Sequence, residues 1–168
     1  GVQTCALPIL TPDSLNKIDF LDNVFTLFRK YSIAPKRIIF EVIESDIIDN
    51  ANVTDVLRAL RKAGSKIAID DFGTGASSYS RLRTLDADIL KIDGSFIRNI
   101  LTDEFSRCAV RSFCEVAKLK NMEVVAEFVE NEEIEKMLIT MGIGWLQGYH
   151  IGKPVPIELA ELDRKSVV

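Results

Sequence analysis

From about residue 37 onward, short apolar runs alternate with longer segments that have the periodicity of a helix. The runs are four to seven residues long, continuously apolar and rich in β-branched residues. Such runs are typical of strands covered on both faces, and their alternation with helices predicts an α/β fold with a parallel sheet. The runs span residues 37–43, 66–69, 88–92 and 123–126, and a weaker one spans 145–149.

The segments between the runs carry apolar residues at the spacing of amphipathic helices. Asn131 is the expected N-cap of the last of them, and Gly64 and Gly142 stand where a glycine ends a helix. A further short helix is expected after Pro156. The helices are predicted in residues 19–31, 53–60, 105–116 and 134–141, with Phe20, Val24, Phe25 and Phe28 buried in the first, Phe105 on the apolar face of the third, and Trp145 packed at the base of the last strand.

The composition indicates a folded domain in a reducing compartment. Of the 168 residues, 47% are hydrophobic, which is too many for a disordered segment. The net charge of −4 argues against binding of DNA or RNA polymers, because such proteins carry basic patches. The three cysteines form no CxxC pair, and no run of about 18 apolar residues occurs. We therefore expect a cytoplasmic location, with membrane attachment through upstream domains left open.

Polar and acidic side chains recur where the apolar runs end. One carboxylate after a strand commonly caps the next helix, but recurrence at four successive strands favours a shared site, because the strands of a parallel barrel all end on one face. Crowded carboxylates repel one another unless a cation neutralises them, and oxygen ligands select Mg²⁺, Mn²⁺ or Ca²⁺. The pattern predicts a divalent metal site at the top of a barrel. The residues concerned are Glu41, Glu44, Asp70, Asp71, Lys91, Asp93, Glu127, Glu130 and Gln147.

Lys91 stands inside an apolar run, where a lysine is costly unless it is paired. Its side chain either points outward and reaches solvent, or it points toward the carboxylates at the strand ends and positions a phosphate or a water. The turn with Gly73 and Gly75 follows the two aspartates that come directly after the second run. It is either an ordinary tight turn or a mobile loop linked to the metal site.

Five motifs follow one another in a fixed order: FEVIES at 40–45, IAIDDFGTGASS at 67–78, DILKIDGSFI at 88–97, VVAEFVE at 124–130 and LQGYHIGKP at 146–154. In this order they resemble the EAL-domain family, phosphodiesterases that linearise the bacterial second messenger cyclic di-GMP. The resemblance extends from about Leu10 to Pro154. It implies a TIM-like (β/α) barrel in which two Mg²⁺ or Mn²⁺ ions bridge the scissile phosphate and activate a water.

The resemblance also implies a role for each of the polar residues. Lys91 would position the nucleophilic water, with Asp93 beside it and Glu127 as the third catalytic group. The metal ligands would be Glu41, Asp70, Asp71 and Glu127; Glu44, Gly73 and Gly75 would support the DDFGTG loop; and Glu130 and Gln147 would complete the substrate rim. The implied partners are cyclic di-GMP, a second copy bound through the DDFGTG loop, and sensory or GGDEF domains upstream.

Several positions depart from the family pattern. Phe128 replaces a glycine, Ile43 replaces a threonine, and Ala76 stands where the family often has a larger side chain. The Glu-x-Leu motif of the first barrel strand is absent, and the position of an asparagine ligand falls on Ile9. Residues 1–9, GVQTCALPI, resemble the conceptual translation of a sequencing adapter.

These departures lead to two expectations. Residues 1–9 are expected to be non-native and residues 10–168 to form a partial EAL domain that lacks its first strand–helix units, with little or no activity as it stands. The parent domain is expected to hydrolyse cyclic di-GMP to linear pGpG. The alternatives are a catalytically degenerate module that binds the dinucleotide or a protein as a sensor, and an unrelated enolase-like barrel. His150, the single histidine, is expected to have a packing or surface role.

Overall fold

The computed structural model describes residues 7–47, 51–74, 82 and 86–155. Gly75, Ala76 and the helix expected after Pro156 lie outside the described residues. The strands are β1 (Ile9–Leu10), β2 (Ile39–Ile43), β3 (Lys66–Phe72), β4 (Ile89–Ile92), β5 (Glu123–Ala126) and β6 (Trp145–Leu146). The α-helices are α1 (Pro12–Leu15), α2 (Phe20–Lys30), α3 (Ala51–Lys62), α4 (Gly94–Ile97), α5 (Glu104–Leu119) and α6 (Glu132–Thr140), with 3₁₀ helices at Pro35–Arg37 and Glu44–Ile47.

The chain divides into two compact units, and the division falls inside β4. Within the described residues, the first unit ends at Leu90 and the second begins at Lys91. No helix in the described ranges is long and apolar enough to cross a membrane.

In the first unit the strands pair in chain order. β1 pairs with β2 in parallel, with Ile9 opposite Glu41, and β2 pairs with β3 in parallel. β4 follows β3 in the order of the sheet. Helix α3 ends before Gly64, whose φ of +104° is one that glycine adopts without strain, as predicted for a residue that ends a helix.

In the second unit, β5 follows β4 and pairs in parallel with β6. Asp103 caps α5, and the side chain of Asn131 caps α6 by accepting a hydrogen bond from the amide of Ile134. Gly142, at φ +85°, ends that helix. The predicted α/β fold with a parallel sheet is therefore confirmed, as are the predicted cap of α6 and the glycine that ends it.

Most residues of the described strands are apolar, as expected for strands covered on both faces. All four residues of β4 are buried, including Lys91. β3 is longer than predicted, because it continues through Asp70 and Asp71 to the buried Phe72. The two aspartates therefore lie within the strand and not after it.

Three predictions about burial are wrong. Helix α2 has no buried residue, so Phe20, Val24, Phe25 and Phe28 are only partly covered; its main packing contact is with α3. Phe105 is 74% exposed because α5 begins at Glu104 and buries a different stripe, formed by Ser106, Val110, Phe113 and Ala117. Trp145 is 53% exposed and lines a groove of about 730 Å³ between α5 and the start of β6.

Candidate functional site

In the first unit, Glu41 and Asp70 lie on neighbouring strands and face the same side of the sheet. Glu41 is paired with Ala68, and Ile43 is paired with Asp70. Alternate residues of a strand share a face, so Ala68 and Asp70 point the same way as Glu41. Glu41 is buried, and a buried carboxylate is costly unless a cation or hydrogen bonds stabilise its charge.

Asp71 has a left-handed backbone at the end of β3, with φ of +53°. This conformation costs a non-glycine residue roughly 1–3 kcal/mol, and it persists only where the surroundings enforce it. The following residue, Phe72, is 2% exposed and anchors the strand end. The left-handed residue interrupts the alternation of side chains, so Asp70 and Asp71 are not confined to opposite faces.

Glu44 follows β2 and contacts the loop that follows β3. Its Oε2 accepts a hydrogen bond of 3.2 Å from the amide of Gly73, and the side chain is buried. Gly73 itself has φ of +104°. This is the contact expected of a residue that supports the loop, although Gly75 lies outside the described residues and the functional role of Glu44 stays a prediction.

In the second unit, Lys91 and Glu127 form a buried ion pair. Lys91 Nζ lies 2.8 Å from Glu127 Oε1, and the two side chains are 6% and 10% exposed. The alternative in which Lys91 reaches solvent is therefore wrong. The backbone amide of Glu127 donates to the carbonyl of Ile92 over 3.3 Å, which places Glu127 directly at the carboxyl end of β5 beside β4.

Asp93 has a structural partner of its own. It is the N-cap of α4, and its Oδ1 accepts a hydrogen bond of 2.8 Å from the amide of Ser95. The ordinary explanation of a carboxylate after a strand, a helix cap, therefore applies to this residue. Its proposed catalytic role stays a prediction.

Glu130 and Gln147 are both exposed, as the rim of a site requires. Glu130 Oε1 lies 3.8 Å from Arg98 Nε. Gln147 lies next to the end of β5, because its amide donates to the carbonyl of Ala126 over 2.9 Å. Contact of either side chain with a substrate stays a prediction.

Phe128, which replaces the family's glycine, keeps a backbone suited to glycine. Its φ is +54°, and its side chain is 43% exposed. The Arg98 guanidinium lies 4.0 Å from the centre of the Phe128 ring. The ring also covers Gly94 so closely that a Cβ there would collide with it.

The sequence analysis missed Arg98 and Gly94 as partners of this ring. The available signal was the unusual phenylalanine itself, since a large side chain at a glycine position needs a glycine or a gap nearby.

The chain belongs to the EAL domain family. Its residues 4–154 match the model of the EAL domain. Cyclic di-GMP phosphodiesterase PdeF of Escherichia coli K12 is 48% identical over 149 residues, which are 88% of this chain and 20% of that protein. The chain thus spans about a fifth of the length of this curated relative.

Solved structures agree with this assignment. A complex of PaMucR phosphodiesterase with c-di-GMP superposes with a TM-score of 0.86 at 32% identity, over 93% of this chain and 64% of that chain. Klebsiella pneumoniae BlrP1 in a complex with manganese and cyclic di-GMP gives a TM-score of 0.85 at 31% identity, over 91% of this chain and 40% of that chain. The expected fold class, a TIM-like α/β barrel, is the fold of these relatives.

Proposed function

We propose that this EAL domain hydrolyses a phosphodiester bond of cyclic di-GMP and releases linear pGpG. The observation that carries the proposal is the buried Lys91–Glu127 pair of 2.8 Å at the carboxyl ends of two neighbouring strands. A buried ion pair is a weak source of stability, so its presence at the end of parallel strands, where barrel enzymes place their active sites, favours a functional explanation. Relatives named as cyclic di-GMP phosphodiesterases support the choice of substrate.

The proposed site holds two divalent metal ions, Mg²⁺ or Mn²⁺. The proposed ligands are Glu41, Asp70, Asp71 and Glu127. The set fits, because all four groups are carboxylates and hard oxygen ligands suit these ions. When bound, such ions neutralise the phosphate charge and lower the pKa of a coordinated water. That a relative was solved with manganese and cyclic di-GMP supports this choice.

Lys91 is proposed to place its ammonium group beside the attacking water or a phosphate oxygen. The side chain is already held in one position by Glu127, so little reorganisation is needed when negative charge develops. In this arrangement Glu127 has two tasks, because one carboxylate oxygen orients Lys91 and the carboxylate also binds metal. Truncation of Lys91 therefore removes a charge and also loosens a ligand.

The experiment measures pGpG formation by chromatography and Mn²⁺ binding by calorimetry on the purified 168-residue chain. We expect Mn²⁺ binding and at most low turnover, because Ile9 occupies the position of an amide ligand and the sequence contains no Glu-x-Leu motif. Lys91→Ala should abolish residual turnover. Lys136→Ala, which breaks an exposed ion pair with Glu132, is the matched control and should not change it. Absence of Mn²⁺ binding by the folded chain would contradict the proposal.

A second candidate function is a sensor that binds cyclic di-GMP without cleaving it. For the chain as it stands, the observation that favours it is Ile9, which lies opposite Glu41 in the β1–β2 pair and offers no ligand atom. Tight binding of cyclic di-GMP with no turnover in either Mg²⁺ or Mn²⁺ would support the sensor. Turnover that rises in Ile9→Asn would support the enzyme.

Three further parts of the proposal concern assembly and location. The DDFGTG loop, residues 70–75, is proposed to contact a second copy of the chain. Sensory or GGDEF domains are proposed upstream, and the location is proposed to be cytoplasmic. Analytical ultracentrifugation of the chain and of Gly73→Ala tests the dimer, since a change at this loop should weaken self-association if the proposal holds.

A further inference from the structure

The turn after β6 is bound to the segment after β5 through the backbone. We call residues 147–152 the β6 turn and residues 127–130 the Glu127 segment. The amide of Val129 donates to the carbonyl of Gln147, and the carbonyl of Val129 accepts from the amide of His150, both over 3.0 Å. The Glu127 segment belongs to no helix or strand, so its position depends on contacts of this kind.

Gly148 brings the β6 turn into direct contact with the Glu127 segment. A Cβ atom at this position would collide with the backbone nitrogen and oxygen of Val129. The need for glycine here is one of space, because the two backbones approach more closely than any side chain allows. The β6 turn and the Glu127 segment are thus one packed structure.

His150 joins the β6 turn to helix α6. Its Nε2 lies 2.9 Å from Oε2 of Glu135, and the two side chains are 32% and 31% exposed. A carboxylate only accepts hydrogen bonds, so Nε2 carries the hydrogen. Glu135 lies in the first turn of α6, whose N-cap Asn131 directly follows the Glu127 segment.

The Glu127 segment needs such support because it contains a strained residue. Phe128, between Glu127 and Val129, has φ of +54°. A left-handed non-glycine residue persists only when the structure on both sides enforces it. On one side the enforcing element is β5, which ends at Ala126. On the other side it is the β6 turn, through Val129.

We propose that His150 is a positioning residue for Glu127. Its pair with Glu135 holds the β6 turn on α6, the turn holds Val129, and Val129 holds the strained backbone that orients the Glu127 carboxylate. The inference rests on the proposed function, in which Glu127 binds metal and orients Lys91. It gives the histidine, expected from the sequence to be a packing or surface residue, a defined role in the geometry of the site.

The test is amide hydrogen exchange, measured by NMR on the 168-residue chain. In His150→Ala the amides of Val129 and of residue 150 should exchange about fivefold faster. This factor is at the upper end of the effect expected from the loss of a partly exposed pair of side chains. The double variant His150→Glu, Glu135→His interchanges the two side chains and should recover most of the protection of these amides against hydrogen exchange. Glu132→Ala is the control, since it breaks a 2.6 Å ion pair with Lys136 on the same helix and does not touch the turn.

Titration with Mg²⁺, followed by the side-chain carboxyl resonance of Glu127, separates this inference from the proposed function. We expect Mg²⁺ to shift the resonance in the wild type and to bind several-fold more weakly in His150→Ala. Equal exchange at Val129 in His150→Ala and Glu132→Ala would overturn the inference. Faster exchange in His150→Ala, with no effect of Mg²⁺ on Glu127 in the wild type, would uphold the contact and overturn the metal site.

Discussion

Lys91 and Glu127 are 36 residues apart in the sequence, yet Lys91 Nζ lies 2.8 Å from Glu127 Oε1 in a buried position. Lys91 lies in β4 and Glu127 directly follows the neighbouring β5, and each compensates for the desolvation of the other. Removal of one partner takes a counter-charge away from a buried charge. Substitutions in this pair therefore also test how the second unit is stabilised, independently of any catalytic activity.

Lys91→Met is expected to lower the free energy of unfolding by about 3–5 kcal/mol, because the buried Glu127 carboxylate loses the ammonium group 2.8 Å away. The double variant Lys91→Met, Glu127→Leu should recover a large part of this loss. Urea unfolding followed by circular dichroism measures both. Lys136→Met, at an exposed ion pair, should cost less than about 1 kcal/mol. A double variant no more stable than Lys91→Met would contradict this explanation.

Asp88 connects three elements of the first unit. Its Oδ2 accepts from the amide of Ile67 over 3.0 Å, and its carboxylate binds the Arg61 guanidinium with contacts of 2.7–3.0 Å. The hydrogen bond with Asp88 raises the pKa of Arg61, so the guanidinium stays charged throughout the usual pH range.

Asp88→Ala is expected to cost about 1–3 kcal/mol of unfolding free energy, because the Ile67 amide loses its acceptor. Arg61→Ala should cost less than about 1 kcal/mol, because it leaves that hydrogen bond in place and the pair is partly exposed. Thermal and urea unfolding of both variants check the order. A larger loss in Arg61→Ala than in Asp88→Ala would show that the ion pair, and not the amide contact, carries the stabilisation.

Asp103 predicts a pH dependence of stability. Hydrogen bonding from the Ser106 side chain is the main cause that lowers its pKa below the ordinary 3.8, and the amides of Ser106 and Phe105 contribute. A carboxyl whose pKa is lowered by folding stabilises the fold above its unfolded pKa, and the stabilisation disappears as the pH falls through the folded pKa. Its contribution should therefore be present at pH 5 and fade below the ordinary pKa of 3.8.

Urea unfolding between about pH 5 and pH 2 tests this prediction. Asp103→Asn keeps an acceptor for the helix cap but does not titrate, so its stability relative to wild type should improve as the pH falls. A constant difference between the two proteins over the whole range would show that Asp103 is not one of the groups responsible for acid unfolding.

Phe128 combines an unfavourable backbone with favourable contacts of its ring. Phe128→Ala keeps the left-handed conformation at φ +54° and loses the contacts with Arg98 and Gly94, so it should be destabilising. Phe128→Gly loses the same contacts but removes the strain, and it should be about 1 kcal/mol more stable than Phe128→Ala. Equal stability of the two variants in urea unfolding would mean that position 128 relaxes out of the left-handed region.

Much of the local structure could be predicted from the sequence because it depends on neighbours along the chain. The run at 123–126 has the same bounds as β5, and Asn131 and Gly142 mark the ends of α6. Helical periodicity and capping depend on residues only a few positions apart, so they can be predicted from the sequence. The acidic residues at the strand ends could be predicted from the sequence for the same reason.

Burial and side-chain partners were not predictable in this way. Phe105 has the spacing of an apolar face but is exposed, because the side of α5 that faces the sheet is set by packing in three dimensions. The bond between Glu44 and Gly73 joins residues 29 positions apart, and no local pattern contains it.

The sequence by itself determined the family, the alternation of strands and helices, and which acidic side chains end the strands. Only the tertiary structure decided that Lys91 points inward to Glu127, that Phe128 takes a glycine-like backbone over Gly94, and that His150 binds Glu135. The physical reason is that each of these contacts joins elements brought together by the sheet. The energy of each contact depends on the distance between residues of different elements. The order of residues along the chain does not give this distance.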